Sequence, residues 1–112
     1  MAITVEPSDA PHLSFPPFRL DLGNACLWRE QQQIRLRPKT LAVLQYLLTH
    51  ADRLVTKDEL LKAVWPGVRV SATLPKDSVL ELRRALGDKA DTPHFIETVY
   101  GRGYRCIGLS DK

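Results

Sequence analysis

The chain has only two cysteines, Cys26 and Cys106, among 112 residues. That excludes a disulfide scaffold and any four-cysteine zinc site. Both thiols are expected to stay reduced in a cytoplasmic protein. Histidine is equally scarce: His12, His50 and His94 have no metal-ligand spacing, so no metal is expected. No apolar run approaches the roughly 20 residues needed to cross a bilayer, and no membrane contact is expected. The opening Met1-Ala2-Ile3-Thr4-Val5-Glu6-Pro7 lacks the basic flank and apolar stretch of a secretory leader, so none is expected. Charge of one sign is also in short supply. Sixteen Lys and Arg against thirteen Asp and Glu leave +3, with a pI near 9.1. Such a bias suits an anionic partner but does not identify one.

What is present is the composition of a soluble globular protein, 44% hydrophobic and 26% charged. The length suits one domain. Four of the eight prolines fall within residues 1–17 (Pro7, Pro11, Pro16, Pro17), which are expected to form a flexible arm ahead of a domain at 18–109. From Phe18 onward the pattern sharpens. Phe18, Leu20 and Leu22 alternate with Arg19 and Asp21, as in a half-buried strand. Gly23-Asn24 predicts a two-residue hairpin turn, followed by strands around 25–29 and 33–36.

The spacing then becomes helical. Pro38 suits a first helical turn, and Leu41, Leu44, Leu47 and Leu48 form one apolar stripe ending near His50. Thr56-Lys57-Asp58-Glu59 is a capping box, in which the threonine oxygen accepts from the Glu59 amide and the glutamate reaches back. Its helix carries Leu60, Leu61 and Val64, and Trp65-Pro66-Gly67 ends it. A third helix is predicted over 74–86, with Thr73 as cap, Pro75 in its first turn, and Gly87-Asp88 as its stop. Alternation returns at 95–99 and 104–107 around a Gly101-Arg102-Gly103 tip. Strands, helices and a glycine-tipped hairpin in this order fit the winged form of helix-turn-helix, an α+β fold.

At 100° per residue, the third helix turns Pro75, Val79, Leu82 and Leu86 inward, with Ser78 and Ala85 beside them. Lys76, Asp77, Leu80, Glu81 and Arg84 fall on the opposite face, with Arg83 on the shoulder. Against a duplex, arginine reaches phosphate or guanine, glutamate accepts from cytosine, and leucine touches the thymine methyl. Lys76 lies near the helix start, where recognition helices meet base edges. Arg102 at the hairpin tip is placed for phosphate. A catalytic reading fails on inventory. Gly101-Arg102-Gly103 lacks the later glycine and following helix of a dinucleotide fingerprint, and Asp58-Glu59 is accounted for by capping. No catalytic residue and no cofactor are expected.

Taken together, Leu54-Val55-Thr56-Lys57-Asp58-Glu59-Leu60-Leu61, Val64-Trp65, Leu82-Arg83-Arg84-Ala85-Leu86-Gly87-Asp88 and Ile96-Glu97-Thr98-Val99-Tyr100-Gly101-Arg102-Gly103-Tyr104-Arg105 resemble a known family. It is the C-terminal effector domain of OmpR-type response regulators, and the likeness covers about 18–109. The resemblance implies a four-stranded N-terminal sheet, three helices and a C-terminal hairpin wing. It also implies sequence-specific binding of double-stranded DNA, with the third helix in the major groove and the wing at the minor groove or its phosphates. By position, Arg83 matches a groove or phosphate arginine, and Thr98 and Tyr104 match wing phosphate contacts. The 65–72 loop matches a segment that touches RNA polymerase in some members. Binding as a homodimer or in tandem is compatible with the limited DNA surface one module covers. The chain departs from the family pattern at Leu80, Glu81 and Tyr100, where basic residues are common, and at Pro75. The competing reading is a winged helix that docks RNA polymerase or a sensor and binds little DNA.

Overall fold

A computed structural model describes residues 12–107. Four antiparallel strands come first: β1 (His12–Phe15), β2 (Phe18–Asp21), β3 (Cys26–Arg29) and β4 (Gln32–Ile34), paired in that order. Leu13, Leu20, Leu27 and Ile34 oppose one another across the sheet and form its inward row. Residues 12–17 therefore do not belong to an arm, as their prolines led us to expect. His12–Phe15 is an edge strand, and Pro16-Pro17 makes the turn into β2. Residues 1–11 of the expected arm lie outside the described residues. The β2–β3 turn is also longer than predicted. It is Ala25 that takes the positive φ of +54°, and the Asp21 carboxylate accepts from the Asn24 backbone and side chain at 3.1 and 2.9 Å.

Three helices follow: α1 (Pro38–Thr49), α2 (Lys57–Val64) and α3 (Leu74–Leu86). A second sheet joins β5 (Val55–Thr56), β7 (Gly103–Cys106) and β6 (Ile96–Val99) in the order β5-β7-β6. A two-residue strand such as β5 has too little alternation to be seen in a sequence. One core unites all layers. Phe15, Phe18, Leu20 and Leu27 of the first sheet meet Val43, Leu44 and Leu47 of α1, Leu60 of α2, Val79 and Leu82 of α3, and Ile96 of β6. Phe95 sets its ring edge-on to Phe15 and Phe18, with centroids 5.6 and 5.5 Å away, so the first sheet braces the entry to β6.

Two caps differ from expectation. Thr56 accepts from the Glu59 amide at 3.0 Å as predicted, but the Glu59 carboxylate turns chiefly to Arg53 and Tyr46. Thr73 makes no side-chain cap to α3. Its hydroxyl and amide bond Ser71 Oγ instead.

Candidate nucleic-acid interface

Helix α3 buries Pro75, Ser78, Val79, Leu82 and Leu86, as its periodicity requires. Its other side carries exposed Lys76, Asp77, Leu80 and Arg84. Leu80 keeps 43% of its surface. Asp77, Leu80, Glu81 and Arg84 line a shallow concavity of about 430 Å³ that Arg37 closes from the neighbouring element.

Glu81 is already engaged within the protein. Thr40 Oγ1 donates to one carboxylate oxygen at 2.7 Å and the Arg37 backbone amide to the other at 3.3 Å. Arg37 is the N-cap of α1 and supplies no side-chain cap. Glu81 fills that role from another helix, where the positive end of the α1 dipole favours a carboxylate. A cytosine contact at Glu81 would compete with both of these bonds. The Glu81 charge ties α3 to α1.

Arg83, expected at a groove or phosphate, is engaged within the protein as well. The side chain is buried, with only 8% of the residue exposed. Its Nη2 donates to Ile96 O at 2.9 Å and to Thr98 Oγ1 at 2.7 Å, so it grips the wing and does not face outward. Thr98 is half-buried beneath that bond. Tyr104, expected at a phosphate, is 4% exposed and pairs with Val55 and Thr98 across the sheet. Burial pushes its hydroxyl pKa up, with the nearby Arg83 charge opposing. A shoulder position on a helix looks outward from sequence. Here a second sheet stands beside that shoulder and covers it.

The wing is held to α3 at a second point. Gly87 takes a left-handed φ of +70° and ends the helix. The next residue, Asp88, turns its buried carboxylate to the amides of His94, Phe95 and Ile96 at 2.7, 3.2 and 3.0 Å. At the tip, Arg102 N–H closes a turn onto Val99 O at 2.9 Å, with Gly101 at φ +76°. Arg102 is exposed. Gly103 serves a different need from the one its tip position implied. A Cβ there would lie 2.1 Å from Val55 O, so only glycine lets β7 run against β5.

Of the expected contact residues, Lys76, Leu80, Arg84 and Arg102 stay open to solvent, Glu81 and Thr98 are half-buried and hydrogen-bonded within the protein, and Arg83 and Tyr104 are buried. Two exposed residues were not expected as contacts. The Arg37 side chain is 86% exposed beside the α3 concavity, and the basic run Arg35-Leu36-Arg37-Pro38-Lys39 was its sequence signal. Tyr100 stands 84% exposed at the tip.

A short helical core with one helix open along its outer face, and a hairpin locked at its side, is a winged helix-turn-helix. The chain belongs to the transcriptional regulatory protein, C-terminal family, whose model matches residues 31–106. It is 37% identical over 92 residues to the transcriptional regulator HilA of Salmonella typhi, a stretch covering 81% of this chain and 16% of HilA. The fold superposes on the DNA-binding domain of Klebsiella pneumoniae RstA, solved in complex with the RstA box, with a TM-score of 0.77 and 27% identity. That match covers 87% of this chain and 97% of the RstA chain. It also superposes on the response regulator DrrB of Thermotoga maritima, an OmpR/PhoB homologue, with a TM-score of 0.79 and 26% identity over 87% of this chain and 44% of DrrB. Among the described residues no helix is long and apolar enough to cross a membrane.

Proposed function

We propose that the chain binds double-stranded DNA sequence-specifically as the DNA-reading module of a transcriptional regulator. Helix α3 enters the major groove, and the β6–β7 hairpin lies as a wing on the adjacent backbone and minor groove. The observation that carries this reading is the open face of Lys76, Leu80 and Arg84 on a helix whose other sides are buried or tied down. Lys76 and Arg84 supply donors for guanine or phosphate, and Leu80 supplies an apolar contact for the thymine methyl. Arg102 meets phosphate from the wing tip. Glu81, Arg83, Thr98 and Tyr104 act from behind by fixing where those residues stand. The role inferred is binding without catalysis, and access to DNA is what supports a cytoplasmic module.

The test is selection of bound duplexes from a random pool, followed by titration in rising salt. Neutralising about four to six phosphates gives log K against log salt a slope of about −4 to −5. A recovered consensus containing repeated half-sites would mean paired or tandem binding. Failure to retain any duplex, or affinity indifferent to salt, would overturn the proposal.

A second surface favours a protein partner of the same regulator. Val68 in the 65–72 loop is 60% exposed. Beside that loop, Pro38, Trp65 and Leu74 contribute to a groove of about 480 Å³. We infer that this loop is where RNA polymerase docks, and substitution Val68→Asp is expected to abolish activation while leaving duplex binding intact.

A further inference from the structure

The basic run Arg35-Leu36-Arg37-Pro38-Lys39 belongs to neither α3 nor the wing, and the DNA contacts proposed above leave it without a task. Within it, Lys39 donates to Val64 O at 2.7 Å, and Leu36 packs against the core. Arg37 differs from both. Its carbonyl accepts the first helical bond of α1 from the Leu41 amide at 2.9 Å, and its amide donates to Glu81 Oε2 at 3.3 Å. Pro38 pushes the residue before it toward extended backbone, and Arg37 has φ −64° and ψ 150°. The backbone is thus fixed at three points. The side chain makes no cap and stands almost wholly in solvent, where it lines the same concavity as Asp77, Leu80, Glu81 and Arg84.

Charge decides what Arg37 does there. From α3 alone the concavity receives two carboxylates, Asp77 and Glu81, against one guanidinium, Arg84. That surplus would repel a duplex, whose phosphates carry the same sign. Arg37 cancels it. Its Nε lies 3.9 Å from Glu81 Oε1, too far for a hydrogen bond. An exposed pair of this kind is weak, so the five guanidinium donors remain available to a ligand. The start of α1 is not itself the attraction, because Glu81 already occupies it. An arginine beside a groove-filling helix, and not on it, faces the wall of the groove, and that wall is sugar and phosphate. We propose that Arg37 clamps a backbone phosphate on the strand bordering the groove that α3 enters, which makes the β4–α1 corner a third DNA-contacting element. This inference rests on the DNA-binding reading and adds a contact that neither α3 nor the wing supplies.

The experiment uses the 112-residue chain and a duplex recovered by it from a random pool, with each phosphate in turn replaced by an uncharged methylphosphonate. Arg37→Ala is expected to weaken binding about threefold to tenfold and to lower the salt slope by about 0.9. Its base preferences and urea midpoint are expected to match the wild type. Arg37→Lys keeps the charge and is expected to keep the slope. One methylphosphonate that weakens wild-type binding is expected to leave Arg37→Ala unaffected. Arg35→Ala is the control. Arg35 is also exposed but does not line the concavity, and its removal is expected to leave the slope unchanged. An unchanged slope in Arg37→Ala, an equal fall in Arg35→Ala, a preference altered at one base position, or phosphate sensitivities identical in wild type and Arg37→Ala would overturn the inference. A wild-type chain that retains no duplex at all marks the failure of the DNA-binding reading itself.

Discussion

A guanidinium taken out of water must find acceptors, and Arg83 finds two neutral ones on the wing strand, Ile96 O and Thr98 Oγ1. Its Nε is buried without a partner, so the arrangement has no slack. Arg83→Lys keeps the charge but cannot reproduce the planar fork. We expect it to cost about 1–3 kcal/mol of stability, measured by urea unfolding. Its DNA salt slope should stay at the wild-type value, because the Arg83 side chain is buried against the wing strand. A slope reduced by about 0.9 would return Arg83 to the interface. The two tip glycines separate in the same way. Gly103→Ala drives a Cβ into the β5 backbone and is expected to cost about 2–3 kcal/mol. Gly101→Ala meets open space and costs about 1 kcal/mol through its positive φ alone. Equal losses at both positions in thermal unfolding would contradict this distinction.

Between elements, three side chains convert separate helices and strands into one rigid reader. Glu81 ties α3 to the start of α1, and Lys39 donates from α1 to Val64 O at the end of α2, at 2.7 Å. Asp88 gathers the amides that open the wing. A carboxylate accepting three backbone amides is worth more than a neutral bond, since each is charge-assisted. Asp88→Ala is therefore expected to lower stability by about 2–4 kcal/mol and to speed amide exchange at His94, Phe95 and Ile96 before the rest of the core. Exchange that rises evenly through the molecule would mean that the wing and α3 unfold as one unit regardless of Asp88.

Across the whole molecule, acid should loosen the fold through a cluster on the side of α1 and α2. The Arg53 guanidinium, together with the Tyr46 hydroxyl, holds the Glu59 carboxyl at a pKa of about 2. A carboxylate whose folded pKa lies below its unfolded one binds fewer protons when folded, so stability rises with pH through that window. The contribution is fully present above the ordinary glutamate range and is lost as pH falls toward about 2. Urea midpoints measured from pH 7 downward should drop in this window. Glu59→Gln should flatten part of the drop. An identical acid profile for the variant would remove Glu59 as its source.

Patterns that repeat along the chain were determined by the sequence alone. The stripe of α1, the Thr56 cap, the inward face and glycine stop of α3, and the glycine-cornered hairpin each depend on residues a few positions apart. Together they specify an α+β winged helix. Short or proline-flanked strands escaped, because β1 and β5 offer four and two residues of alternation. Which polar residues face the ligand was decided only by the tertiary structure. Glu81 and Arg83 look like neighbours of Leu80 and Arg84 on a helical wheel. Partners more than ten positions away, Thr40 and Arg37 for one and Ile96 and Thr98 for the other, draw them inward. A helix's own period sets the direction of a side chain, but the element that packs beside it determines whether that direction leads to solvent or to a bond.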